Sequence, residues 1–174
     1  MTGELTGTQL APVASVTTTW KAWREKYPET LVLSQETGFR RDYSQTPYSQ
    51  YAMSPNPLFP VQHTDFRLTP KEKVLGVSIN GHHKAYPFKA LQKLEAPLED
   101  QIGETQVKVV YDPAAKSAQV VDAKSGELLP SVVAYWFAWA TFHRDAAVYG
   151  NPTASVPQGR AFGLLAGKMS EGSH

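Results

Sequence analysis

The chain has 174 residues, 41% of them hydrophobic, with 17 basic and 16 acidic residues and a formal charge of +1. That length suits one domain, and a folded chain of this size buries about 70% of its unfolded surface, enough for a true core. The near-balanced charge excludes a general pull toward nucleic acid or anionic membrane, and the absence of cysteine excludes disulfides, thiolate catalysis and zinc–sulfur sites.

No apolar run approaches the roughly 20 residues of a membrane span. The first residues, Met1-Thr-Gly-Glu-Leu-Thr-Gly7, have neither the basic start nor the apolar run of a signal peptide. Leu5 to Val13 reads as a strand or short hairpin, with Pro12 arguing for an edge position. Thr17-Thr-Thr19 offers cap hydroxyls for a helix from about Thr19 to Lys26, in which Trp20 and Trp23 share a face. Tyr27-Pro28 ends it, because the residue before proline disfavours helical backbone. Thr30-Leu-Val-Leu33 reads as a short buried strand.

From Ser34 to Glu72 the chain loses its period and is punctuated by Pro47, Pro55, Pro57, Pro60 and Pro70. Loops longer than about 15 residues are usually functional or disordered, and disordered segments are poor in aromatics. The stretch Thr37–Tyr51 carries Phe39, Tyr43, Tyr48 and Tyr51, so the 34–72 region is expected to be an ordered loop wrapped over the domain.

Regular pattern resumes at Lys73–Ile79, a strand, followed by Asn80-Gly81, the preferred dipeptide of a type I′ hairpin turn. His82–Tyr86 returns as its partner, and Pro87 opens a short helix over about Phe88–Leu94. Val107–Tyr111 and Ser117–Asp122 form a second hairpin around Asp112-Pro113. Lys124-Ser-Gly126 is a turn, a helix is expected over Ser131–His143, and Ala147–Tyr149 is a last strand. From Asn151 onward prolines and glycines break any period, and residues 151–174 are expected to be a poorly ordered tail.

The chain also repeats itself. Trp20–Val32 and Trp136–Val148 share both tryptophans, the alanine between them and the terminal valine at a constant offset of 116. The expectation is one strand–helix–strand unit used twice in a pseudo-symmetric α+β domain, not a solenoid.

Several motifs together resemble the bacterial and archaeal family DUF3179, a family of unknown function. They are Thr18-Thr-Trp-x-x-Trp-x-x-x-Tyr-Pro-x-Thr-x-Val-Leu-Ser34, Thr37-Gly-Phe-x-Arg-Asp-Tyr43, Pro47-Tyr-x-x-Tyr51, Lys71-Glu-x-Val-Leu-Gly76, Ala85-Tyr-Pro87 and Tyr135-Trp-Phe-Ala-Trp139. The similarity spans about Gly3 to Tyr149. Members are usually longer, often with an export signal or lipoprotein start, and carry an earlier copy of a segment like Val74–Ser117. That copy ends in a Tyr-Cys-Pro-x-Cys motif, where this chain has Tyr111-Asp-Pro-Ala-Ala115. The resemblance implies an extracytoplasmic location and a chain that is the later part of a longer protein. It transfers no activity, and no metal or redox role of the cysteine motif.

Candidate functional residues each have a bland alternative. Arg40, Arg41 and Asp42 suit bidentate recognition of a carboxylate or phosphate, or a structural pin of the loop. Tyr43, Tyr48 and Tyr51 either line a groove or anchor the loop. His82-His83 points to opposite faces of a strand and is not expected to chelate one metal. His63, Asp65 and Arg67 alternate along one face, a weak acid–base or metal pattern. Trp136, Trp139 and His143 share a helical face, with Asp145 near the histidine. The tryptophans fill a core or make a stacking platform. His143 caps the helix end or acts as a base.

The expectation is therefore an α+β fold: a hairpin-rich antiparallel sheet with two or three short helices, one domain over residues 1–150. No catalytic set, metal or cofactor is assigned. A non-catalytic binding or interaction module, taking a small molecule or a protein, is favoured. Its alternative is a hydrolase-like or metal-dependent site using His143 or His63 with nearby carboxylates.

Overall fold

Val74–Val77 is a run of four buried residues, the mark of a strand covered on both faces. It forms the centre of β1 (Lys73–Ile79). Asn80 and Gly81 take φ of 49° and 79°, the two left-handed positions of a type I′ turn, and return the chain as β2 (His82–Pro87). Pro87 caps the single turn α3 (Phe88–Leu91).

The computed structural model describes residues 2–150 apart from Gln9, Pro47 and Gln62. The expected tail, residues 151–174, lies outside the described residues. Beyond α3 come β3 (Leu98–Ile102), β4 (Thr105–Asp112), β5 (Ser117–Asp122), β6 (Leu128–Leu129), β7 (Ser131–Tyr135), α4 (Trp136–Phe142) and β8 (Ala147–Val148). Ahead of β1 lie α1 (Trp20–Lys26) and α2 (Ser49–Met53). The strands form two sheets, ordered β7-β1-β2-β8 and β3-β4-β5-β6. Pairing is antiparallel throughout except between β2 and β8. The fold is α+β.

Side chains alternate across each sheet and divide the core in two. Leu75, Val77 and Tyr86 of the first sheet meet Val107, Val109 and Val120 of the second. Val74 and Ala85 face the other way, onto Trp136, Trp139 and Ala140 of α4. Gly76 is required here: a Cβ on it would overlap the Trp139 ring, so the helix sits directly on the backbone of β1. Lys84 of β2 pairs with Asp100 of β3 at 2.7 Å and ties the two sheets together.

Four expectations are corrected. Ser131–Tyr135 is a strand and the helix starts only at Trp136, because β-branched Val132 and Val133 suit a strand and β1 offers an unpaired edge. Leu98–Ile102 was not expected, although Leu98, Asp100 and Ile102 face inward while Glu99 and Gln101 are exposed, the alternation of an edge strand. Leu5–Val13 is a turn followed by irregular chain among the described residues, not a strand. Thr30–Leu33 is neither a strand nor buried, with Leu31 95% and Leu33 96% exposed. Both segments have strand-forming residues and no neighbouring strand, and a lone strand leaves its backbone groups to water.

The repeat is conformational as well as sequential, yet its two copies are packed differently. Trp136 and Trp139 are 0% and 6% exposed, whereas Trp20 and Trp23 are 50% and 40% exposed.

Candidate interaction surface

The long loop is irregular apart from the short helix α2, and it is fastened at its C-terminal end. Asp65 and Arg67, two apart along an extended piece, form a forked pair in which Arg67 Nε and Nη2 donate to the carboxylate at 2.7–3.1 Å. Arg67 Nη1 donates to Ala146 O at 2.7 Å, and the guanidinium lies 5.1 Å from the Trp136 ring. Trp136 Nε1 in turn donates to Asp65 O at 3.0 Å. Burial works to raise the Asp65 pKa. The Arg67 hydrogen bonds and charge, with His63 adding, outweigh it and hold the carboxyl below its ordinary value. The loop's arginine pin is therefore Arg67. Among the described residues neither Arg40 nor Arg41 forms an ion pair, and Asp42 instead accepts hydrogen bonds from the Ser44 backbone and hydroxyl. A carboxylate two residues from a serine closes an Asx turn more readily than it reaches back to a neighbouring arginine.

A second fastening holds the middle of the loop. Lys71 Nζ donates to Tyr51 O and lies 3.7 Å from the Tyr51 ring centroid and 5.5 Å from that of Tyr135. Pro70 O and Glu72 O accept the N–H groups of Phe137 and Trp136 at 2.9 and 2.8 Å, joining the loop's end to the start of α4. Between these fastenings the chain folds over Phe137 and leaves two adjoining clefts of about 380 and 280 Å³. Leu58, Phe59 and Pro60 wall both, with Tyr48 and Tyr51 closing the smaller one. Phe59 remains 75% exposed at the mouth.

The expected site residues fall into separate places. Arg40, Arg41, Asp42 and Tyr43 lie on an exposed turn, with Tyr43 Oη 2.8 Å from Thr37 Oγ1. Tyr48 and Tyr51 line the apolar cleft. His63 stands near Asp65, whose oxygens are taken by Arg67. Trp136 and Trp139 are core residues.

His143 ends α4 with its ring 4.0 Å from that of Trp139 and 4.2 Å from that of His83. Burial, then the charge of His83, push its pKa below the ordinary value, against an upward pull from Asp145. It is thus a neutral cap at neutral pH rather than a cation on the helix dipole. The sequence reading missed His83 as its neighbour, and missed that Ser78 Oγ lies 2.7 Å from His83 Nδ1. The Asn80-Gly81 turn makes positions 78 and 83 cross-strand partners, so that contact was recoverable from register alone. Among the described residues no group of three or more histidine or acidic side chains could hold a metal ion, and no helix is long and apolar enough to cross a membrane.

No curated protein and no solved structure matches the chain. The family model DUF3179, described as a protein of unknown function, matches residues 1–146. With the match covering most of its length, the chain belongs to the DUF3179 family.

Proposed function

We propose that the protein is a non-catalytic interaction module, and that the loop surface around Tyr48, Tyr51, Phe59 and Phe137 receives an apolar side chain of a partner. One observation carries this reading. Of the large hydrophobic residues exposed among the described residues, all but Val132 and Phe142 lie between Leu5 and Phe66, while residues 73–149 form a core covered on both faces of the first sheet. Monomers rarely leave contiguous apolar patches beyond a few hundred Å² exposed, and larger ones mark interaction sites. The cleft walls are held by Arg67 and by Lys71, whose ammonium engages Tyr51, while Phe59 stands exposed at the mouth, where it can contact a ligand.

The reading is tested with the dye ANS as an apolar probe. Saturable binding is expected, weakened by Phe59→Ser with the melting temperature unchanged. Binding unaffected by Phe59→Ser would refute the assignment of the cleft. A fall of more than about 5 °C, or 1–2 kcal/mol for a chain of this length, would make Phe59 a structural residue.

The second reading, a hydrolase-like or metal-dependent site at His143 or His63, is favoured by the Ser78–His83 contact beside His143. A hydroxyl held on an imidazole is the arrangement of an activated nucleophile. Hydrolysis of an activated ester that is lost in Ser78→Ala would support it over the first.

A further inference from the structure

Two adjacent histidines of β2 serve different layers of the fold. His82 lies against the β3–β4 turn, where a Cβ on Gly103 would overlap its ring. His83 takes the opposite face and meets the end of α4, its ring 4.2 Å from that of His143 with a 36° tilt. Ser78 Oγ holds His83 Nδ1 from across the hairpin at 2.7 Å. His143 also lies 4.0 Å from the ring of Trp139, which is itself packed over Gly76. The other charged groups nearby are on its own segment: Asp145 acts on His143 from the turn after α4, and Arg144 is exposed. Two imidazoles this close can share one proton but not hold two. The first is tolerated, since the face of Trp139 and the end of α4 both favour a cation. The second meets a like charge at 4.2 Å, where burial already disfavours charge on His143. Separated rings bind two protons, so acid favours separation.

The segment that His143 carries with it is short and lightly held. Ala146 N–H donates to His143 O at 3.1 Å, and β8 starts at the next residue. β8 pairs with β2 only at Lys84–Ala147 and Ala85–Val148, followed by the bond from Tyr149 N–H to Ala85 O at 2.9 Å. A two-residue parallel pairing at a sheet edge has few bonds to lose and belongs to the low-stability end of a fold. The long loop is fastened to this same segment. Ala146 O accepts from Arg67 Nη1 at 2.7 Å, Arg67 holds the Asp65 carboxylate, and Asp65 O accepts the Trp136 indole N–H. Thr64, Asp65 and Phe66 in turn wall the larger loop cleft. A continuous set of bonds therefore runs from the stacked histidines to the loop.

We propose that His83 and His143 form an acid-sensitive latch: when both rings take protons they part, β8 leaves β2, and loop residues 64–67 lose their anchor at Ala146. Because the folded pKa of His143 is depressed, the latch holds fully above the ordinary value of 6.5 and weakens as pH falls below it. The open form gains about tenfold per pH unit for each proton it binds in excess. Asp65 takes no part, since its carboxyl is held below 3.8 and stays ionised throughout this range. The latch governs how the loop is attached. That its release alters partner binding rests on the interaction reading of the loop cleft, whereas the latch itself does not.

The test is hydrogen exchange of the whole chain by NMR between pH 7.5 and 5, expressed as protection relative to an unstructured chain at the same pH. The Ala146 and Tyr149 amides report on β8, and the Trp136 indole N–H reports on the loop. The Ala123 amide, bonded to Gln106 O at 3.0 Å beside the second sheet, reports on the rest of the fold. Protection at the first three should fall about tenfold or more toward pH 5, while Ala123 keeps its own. His83→Gln and His143→Asn each leave a single imidazole and should each remove most of the fall. His83→Gln changes a side chain outside the buried core and keeps the test open should His143→Asn fail to fold. Asp145→Asn removes an upward pull on His143 and should deepen the fall, whereas His63→Gln should leave it in place. Protection independent of pH, an equal loss at Ala123, or a fall that persists in the His83→Gln chain would overturn the proposal. A fall at Ala146 and Tyr149 with the Trp136 indole unmoved would overturn its extension to the loop. None of these protons reports on ligand in the cleft, so the outcome is separate from that of the ANS test with Phe59→Ser.

Discussion

Replacing Arg67 by alanine is the sharpest perturbation of the loop's attachment. The side chains of Arg67 and Asp65 are 20% and 11% exposed, so the pair is largely withdrawn from water. Breaking a fully buried pair from one side costs about 3–5 kcal/mol, and partial exposure lowers that figure. Arg67→Ala also strips Ala146 O of its donor, about 1 kcal/mol or more, and removes the guanidinium from the Trp136 ring, about 0.5–1 kcal/mol. These effects share one side chain and do not add in full, so a loss of about 3 kcal/mol is expected. For a chain of this length that lowers Tm by about 6–12 °C. Arg67→Lys should fall between, because a single ammonium nitrogen lacks the planar fork by which Nε and Nη2 hold the carboxylate while Nη1 reaches Ala146 O. The assay is thermal melting followed by circular dichroism at pH 7. Asp65 has its folded pKa depressed, so the stability it contributes is present above its unfolded value of 3.8 and is lost as pH falls through the folded value. The gap between wild type and Arg67→Ala should therefore narrow in acid. A Tm change under about 2 °C at pH 7 would refute the reasoning and leave the loop without its pin.

Other outcomes follow from the same geometry. Gly76→Val should lower Tm by several degrees or prevent folding, since overpacking costs about 1–3 kcal/mol or more and the new side chain would meet the Trp139 ring; circular dichroism melting checks it. Trp139→Ala should cost about 3–5 kcal/mol, whereas Trp23→Ala, at a residue 40% exposed, should cost no more than about 1 kcal/mol; urea titration of both variants compares them. His143 has its folded pKa depressed, so stability should be flat above its ordinary value of 6.5 and fall as pH drops below it; melting between pH 8 and 5 reads this, and His143→Asn should flatten the slope.

The parts of the fold legible in the sequence are those fixed by neighbours in the chain. The β1–β2 hairpin followed from alternation and Asn80-Gly81, and the β4–β5 hairpin from two apolar runs around Asp112-Pro113. α1 followed from Thr19, whose hydroxyl accepts from Ala22 N–H. What failed was what another part of the chain decides. Val132 and Val133 became a strand because β1 had an edge to fill, and Leu31–Leu33 did not because no edge was there. Local sequence sees only the first half of that condition. The loop's need for an arginine pin was legible, but the choice of Arg67 over Arg40 or Arg41 depended on Ala146 and Trp136, distant in sequence. His83 and His143 meet across 60 residues for the same reason. The repeat points to symmetry of packing, whereas it preserves only the shape of the unit.

The central claim is that the first Trp-x-x-Trp unit and the loop after it present surface that the rest of the chain leaves uncovered. Amide hydrogen exchange of the free protein tests it most directly, by comparing the equivalent segments Leu31–Leu33 and Ala147–Tyr149. The account predicts that Leu31, Val32 and Leu33 exchange at nearly the rate of an unstructured chain. Tyr149, whose N–H donates to Ala85 O at 2.9 Å, should be slowed by orders of magnitude. Comparable protection at the two segments would contradict it, because Leu31–Leu33 would then already have a strand to bond.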